Sequence, residues 1–204
     1  MYLIENSFKQ HDPEWFDARL DSIGGTDISK IITTKGERSK SRDDFLTDKT
    51  SQIITRKTKP VFATYEMKWG NENEPRARKV FEFVKDIKLS ECAMIFYDGK
   101  RNWHISPDGF NEKLKVGWET KCPQLKEFRK TVKDNKLPTK HILQVQTSLA
   151  VTGWDSWWFM SFFPELKPFM IEVQRDEELI KIIKAEVNIF NRDLNKLIDE
   201  LRRG

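Results

Sequence analysis

Apolar positions recur every three to four residues through the first part of the chain, and the period shortens to two from about Leu89 onward. Residues 13–20 read as a short helix entered at Pro13, whose missing N–H is no loss at a first helical position. Gly24 and Gly25 break it, and a second short helix follows, capped by Thr26 or Asp27. A third helix spans residues 41–55, where Ser41-Arg42-Asp43-Asp44 makes an approximate capping box with Asp in place of Glu. Residues 64–84 put Trp69, Ala77, Val80, Phe81 and Val84 near one helical face, and Pro75 is expected to kink or restart that helix.

Residues 93–97, 102–106 and 116–121 are short β-branched or aromatic runs separated by Asp98-Gly99 and Asp108-Gly109, as antiparallel strands joined by turns would be. Helical spacing returns at 124–135 and 140–152, before two very apolar strands at 156–163 and 169–174. Residues 176–203 close the chain as an amphipathic helix with Leu179, Ile182, Ile183, Val187, Phe190, Leu194, Leu197 and Leu201 on one side. This order predicts an α+β fold with a mixed central β-sheet flanked by helices. No repeat, low-complexity tract or Pro/Gly/Ser-rich linker divides the sequence, so 1–204 reads as a single domain.

Charged residues make up 33% of the chain and aromatics 12%, with seven Trp, which joins a solvated surface to ample core material. A net charge of +4 permits a polyanionic partner without requiring one. Residues 35–42 and 56–59 hold seven Lys or Arg against one acid, Glu37, although solvated loops account for them equally well. Cys92 and Cys122 form no CxxC pair, and His11, His104 and His141 are scattered, so neither a disulfide framework nor a zinc site is indicated. No apolar run approaches the roughly 20 residues of a membrane span, and the start is unlike a signal peptide. The expectation is a soluble, cytoplasmic protein, in a host cell's interior if phage-encoded.

Chemistry concentrates at Pro107-Asp108, ten residues, then Glu119-Thr120-Lys121. In a strand, residues two apart share a face, so Glu119 and Lys121 project together while Thr120 points away. Asp108, at the turn of the same hairpin, leans back toward that face. Two converging carboxylates suit a hard, oxygen-preferring cation such as Mg²⁺, and the lysine supplies positive charge beside an attacked phosphate. This is the pattern of the PD-(D/E)XK nucleases. A string this loose arises by chance in on the order of a few per cent of chains, so a hairpin turn and a solvated strand face stay open as readings. Trp118, in a strand otherwise suited to burial, favours the nuclease.

Further landmarks give the pattern specificity. They are Trp15 and Arg19 before Gly24-Gly25-Thr26-Asp27-Ile28-Ser29; Trp69-Gly70 before Glu74, Ala77-Arg78 and Phe81-Glu82-Phe83; Ser106-Pro107-Asp108-Gly109; Glu119 through Pro123; and Gln144-Val145-Gln146 before Val151-Thr152-Gly153. In this order the chain resembles the lambda exonuclease-like, YqaJ-type viral recombinase family of PD-(D/E)XK nucleases. The resemblance implies a restriction-endonuclease-like core and a Mg²⁺-dependent 5′→3′ exonuclease that leaves a 3′ overhang on linear duplex DNA. It implies two metal ions, with Mn²⁺ able to substitute, on Asp108, Glu119 and the Thr120 carbonyl. Lys121 orients the attacking water or steadies developing charge, and Glu74 and Gln144 belong to the same centre.

Arg19, Thr26 and Ser106 match positions that hold the terminal 5′-phosphate, and a guanidinium fork with hydroxyl donors is sound chemistry for that. Lys126 falls near a basic position of that pocket, but lysine there loses arginine's bidentate contact. Trp15 matches a residue that stacks on the DNA end. The resemblance also implies a homotrimeric ring around DNA and a single-strand annealing protein as partner. Two other functions compete: a PD-(D/E)XK endonuclease or junction resolvase, and a DNA-binding module with an inactive site. The intact Asp108, Glu119 and Lys121 argue against the module, and the 5′-phosphate residues separate exonuclease from endonuclease.

Overall fold

The computed structural model describes residues 1–58 and 64–203. The chain begins with β1 (Leu3–Glu5), α1 (Pro13–Leu20) and β2 (Ile23–Gly24), then a 3₁₀ turn (Gly25–Asp27) that leads into α2 (Ile28–Ile31). α3 (Arg42–Thr55) and α4 (Tyr65–Lys85) follow, before β3 (Met94–Phe96), β4 (Trp103–Ile105), β5 (Gly109–Asn111) and β6 (Val116–Lys121). α5 (Leu125–Asp134) and α6 (Thr139–Thr152) precede β7 (Ser156–Ser161), β8 (Phe169–Gln174) and α7 (Glu177–Arg203).

The α+β class and mixed pairing hold, but the strands divide between two four-stranded sheets, ordered β1-β3-β4-β2 and β5-β6-β7-β8. The first is antiparallel except where β2 joins β4 parallel. In the second, β6 and β7 are parallel, and α5 and α6 supply the crossover that parallel neighbours need. Asp108-Gly109 is therefore not a hairpin turn. Residues 106–108 carry the chain from one sheet to the other, and the hairpin bends later, where Leu114 N–H donates to Asn111 Oδ1 at 2.9 Å and Lys115 takes φ 53°. Ser90 and Phe110 exchange backbone hydrogen bonds of 2.6 and 3.0 Å across the seam. Gly109 is tightly packed, since a Cβ there would lie 2.9 Å from Leu89 Cδ1 and 3.2 Å from Leu89 Cβ.

Both sheets are covered on two sides. Ile95, Trp103 and Ile105 of the first, with Trp157 and Phe159 of the second, join one core with α2, α6 and α7. On the opposite side of the first sheet, Trp15 of α1 packs on Met94 and Phe96. On that of the second, Ala77 and Phe81 of α4 pack on Trp118 and Met160. β6 is thus sandwiched, which explains why Trp118 is fully buried next to the polar Glu119.

Three local expectations change. α4 runs through Pro75 unbroken, with Pro75 on the exposed side, where solvent is available to the carbonyl that loses its partner. Ser41 makes no side-chain cap, because its hydroxyl is engaged with Ser39 Oγ at 2.9 Å and the Lys30 carbonyl at 3.4 Å. α7 buries Ile180 and Ile198 in its stripe, while Leu197 is half-buried and Leu201 is 60% exposed. The helix lies on α2, α3 and α6, covering its own chain's core.

The basic runs serve that packing. Arg42 is buried, 2.7 Å from Asp193 and over the Phe190 ring, and Arg38 reaches Glu186, so both tie the segment before and at the start of α3 to α7. Arg56 pairs with Asp21, and Lys59 lies outside the described residues. Among the described residues, no helix is long and apolar enough to cross a membrane.

Candidate active site and anion cavity

The seam between the sheets positions the first carboxylate. Gly109 pairs with Trp118, so Asp108 enters β5 alongside Glu119, and its Oδ2 accepts the Thr120 amide at 2.7 Å. Glu119, 2% exposed, projects toward α6, where Gln144 Nε2 donates to its Oε1 at 2.6 Å. The Lys121 ammonium, on the same strand face, donates to that same oxygen. Thr120 turns the other way and its hydroxyl reaches the Met160 carbonyl at 3.5 Å. Alternation along β6 thus produces the two-sided arrangement expected of a strand.

Glu74 comes from α4 and is half-buried near the end of β6. Burial raises its pKa, with Glu119 and Glu91 adding to the rise and Lys121 and Arg78 opposing it. Asp108 is held well above the usual carboxylate range by burial first and then by Glu119 and Glu74, against the pull of Lys121 and the Thr120 amide. Burial alone would lower the Lys121 pKa, but Glu119, Asp108 and Glu74 outweigh it and hold the amine above its ordinary value. The lysine is a firmly charged ammonium among carboxyl groups that resist sharing negative charge.

That crowding is the test of fit for a cation. Among the described residues no three His, Cys, Asp or Glu side chains cluster closely enough to hold a metal by themselves, so the side chains that could hold a cation here are the pair Asp108 and Glu119, with Glu74 farther off. A carboxylate pair beside a strand carbonyl fits Mg²⁺, which keeps several waters and needs few protein ligands, and cation charge would relieve the mutual repulsion.

A small cavity of about 50 Å³ opens beside Glu119 and Gln144, and Arg19, Thr26 and Ser106 all border it. Arg19 arrives on α1, Thr26 on the 3₁₀ turn and Ser106 on the link between the sheets, so tertiary folding assembles the group from three elements. A second cavity, of about 900 Å³, is bordered by Glu74, Thr120 and Lys121. Glu119 borders the small cavity and Lys121 the large one, so the strand face that carries both is a ridge shared by the two.

The family model of the YqaJ-like viral recombinase domain matches residues 14–155, a stretch that contains every one of these side chains. The chain belongs to that family. Its fold is similar to that of the alkaline exonuclease LHK-Exo from Laribacter hongkongensis, at 27% identity and TM-score 0.84, covering 94% of this chain and 97% of the other. LHK-Exo in complex with dAMP gives 28% identity and TM-score 0.83 over the same shares. A phage-related exonuclease from Haemophilus somnus 129PT shares the fold at 15% identity and TM-score 0.68, covering 88% of this chain and 96% of that one. No curated protein matches the chain.

Within this recombinase-domain fold, two other expected site residues, Trp15 and Lys126, do not border the small cavity. Trp15 is only 8% exposed; its indole N–H donates at 3.2 Å to both the Ala93 carbonyl and Ser106 Oγ, and the Arg19 guanidinium lies 4.4 Å over its ring. Arg19 thus lies over the indole, and the indole N–H holds Ser106, so the ring is a platform for both side chains. Lys126 is exposed on the first turn of α5 and does not border the small cavity.

Sequence reasoning missed a buried polar layer under Arg19. Lys49 of α3, 4% exposed, donates to the Arg19 carbonyl at 2.6 Å, and burial pushes its pKa down to about 8 despite nearby Asp27. His104 pairs with Ser22 Oγ at 2.6 Å and is pushed down to about 3 by burial and then by Arg19. Asp27 accepts the Gly24 amide at 3.1 Å and the Lys30 ammonium at 2.8 Å. The Gly24-to-Asp27 run hinted at this layer. Lys49, spaced like any surface lysine on a helix, gave no signal.

Proposed function

We propose that the chain is a Mg²⁺-dependent DNA nuclease that degrades one strand of linear duplex DNA from its 5′ end, leaving a 3′ overhang for phage-type recombination. The observation that carries this reading is the small cavity bordered by Arg19, Thr26 and Ser106, which shares Glu119 and Gln144 with the carboxylate and lysine ridge. A grip for an anion one step from a cleavage centre suits an enzyme that counts from a terminus, whereas an endonuclease has no use for it. The likeness to LHK-Exo, which has been solved with dAMP, supports the same reading.

In this mechanism Asp108, Glu119 and the Thr120 carbonyl would hold the cation, as two ions in the full reading, and Mn²⁺ would substitute. Bound divalent metal supplies Lewis-acid charge to the phosphoryl group and lowers the pKa of water. Gln144, by donating to Glu119, fixes the carboxylate's orientation. Lys121, charged throughout the neutral range, orients the attacking water and stabilises charge that develops on the phosphate. Arg19 clamps the terminal phosphate from its indole platform, and the Thr26 and Ser106 hydroxyls complete the donor set. A three-subunit ring and a single-strand annealing partner belong to the same proposal. The apolar face of α7 is used within its own chain, so such a ring would be built from other surfaces.

The test compares linear duplexes with 5′-phosphate and 5′-hydroxyl ends, and a closed circle, in Mg²⁺. Hydrogen bonds to charged groups contribute about 1.5–3 kcal/mol, so a preference of roughly tenfold to a hundredfold for the phosphate is expected, and Arg19→Ala should erase most of it. Cutting of the circle, or equal rates on both ends, would move the endonuclease reading ahead.

A further inference from the structure

The large cavity borders Lys121 and Glu74 of the catalytic ridge, whereas the anion cavity borders Glu119, and one wall of the large one is peculiar. Gly70 sits inside α4, one turn before Glu74 and on the same face, and both border the cavity. Glycine inside a helix costs stability relative to alanine, and here nothing in the packing of the described residues demands it, because a Cβ on Gly70 would meet none of them within 4 Å. An empty space kept beside a catalytic carboxylate, at a cost to the helix, points to something outside the protein that needs close approach.

A second, independent feature of the same cavity points the same way. The Ser161 hydroxyl is 1% exposed and, with the Gln124 amide nitrogen, is buried without a hydrogen-bond partner among the described residues, and both side chains border this cavity. Ser161 stands beside Lys121 in the β6 to β7 register, so its hydroxyl is next to the catalytic centre. Buried polar groups are rarely left unpaired, and two at one cavity leave hydrogen bonds for an occupant to complete.

Volume and order identify the occupant. The anion cavity, at about 50 Å³, has room for little beyond a phosphate-sized group, so a strand whose 5′ end is held there must continue elsewhere once it crosses the ridge. We propose that the large cavity is the subsite for the nucleotide on the 3′ side of the bond to be cut, and that Gly70 is small so that this nucleotide can lie against α4. The proposal rests on the nuclease reading above. It commits to the cut strand, with its sugar-phosphate backbone along α4 and polar edges toward Ser161 and Gln124.

The experiment separates helix stability from ligand approach, because the two have opposite signs at this position. Gly70→Ala should raise the melting temperature by about 1–3 °C, since it improves the helix without a clash. Gly99→Ala, likewise made into open space but in the β3 to β4 turn, is the control. Anisotropy titrations with a labelled 5′-phosphorylated duplex, without divalent ions, read affinity. We expect Gly70→Leu to weaken duplex binding at least tenfold, Gly70→Ala to weaken it about threefold despite its higher melting temperature, and Gly99→Ala to leave it unchanged. A deoxynucleoside 5′-monophosphate, which has no nucleotide on the 3′ side of a bond to be cut, should compete with equal potency against wild type and Gly70→Leu.

Unimpaired binding by both Gly70 variants would overturn the inference, as would equal loss of monophosphate and duplex. If Gly70→Leu melts early, Gly70→Ala decides alone. Wild-type protein that neither binds nor cuts DNA would defeat the nuclease reading itself, whereas active wild type with unimpaired variants defeats only the subsite.

Discussion

Single residues at the ridge are arranged against their own stability. Asp108 is placed where burial, Glu119 and Glu74 all disfavour its ionised form, yet a cation site needs that form. A neutral isostere should therefore separate stability from activity. We expect Asp108→Asn, whose amide oxygen still accepts the Thr120 N–H, to raise the metal-free melting temperature at neutral pH while lowering cleavage by about 10²-fold or more. Differential scanning fluorimetry with a nuclease assay on the same preparation checks both halves. A variant that cleaves near the wild-type rate would remove Asp108 from the metal set. Trp15 shows the same dependence on surroundings: its type fits a stacking residue, but only its contacts with Ser106 and Arg19 reveal a platform.

At the scale of elements, α7 is the clearest case of a pattern that tertiary contacts refine. Its heptad-like stripe promised an apolar face, and the helix does bury one, rotated so that Ile180 and Ile198 enter and Leu201 leaves. Phe190 is fully buried and stacks at 5.2 Å on Phe45 of α3, so Phe190→Ala should cost about 3–5 kcal/mol, read from urea denaturation midpoints. Leu201→Ala should stay within about 0.5 kcal/mol. A large loss at Leu201 that depends on protein concentration would instead place that end of the helix in a subunit contact. β5 marks the opposite failure of local reading. The three residues after Asp108, which open with Gly109, have the composition of a turn, and they form a strand because Phe110 has Ser90 and Gly117 as partners.

Across the whole molecule, the buried His104 and the half-buried His141 bear on stability in acid. His104 and His141 are both pushed down to about 3, by burial first and then by nearby cations, while in an unfolded chain each protonates near 6.5. Acidification through that window loads protons on the unfolded chain only, so their contribution to stability is complete above about pH 6.5 and is lost as pH falls toward 3. The raised carboxyls of Asp108 and Glu74 act in the opposite direction, which makes a difference measurement necessary. The double variant His104→Gln/His141→Gln should show a shallower fall in urea midpoint between pH 7 and 4.5 than wild type. Parallel curves would mean that these imidazoles protonate in the folded protein. The α+β class, the helices of α1 and α3 to α7, and the Asp108, Glu119 and Lys121 set were all legible in the sequence, because periodicity and a two-residue strand spacing are local properties of the chain. The division into two sheets, the platform role of Trp15, the buried Lys49 and His104 and the empty wall at Gly70 were not. Each depends on which distant residues fill the space around a position, and only folding brings those residues together.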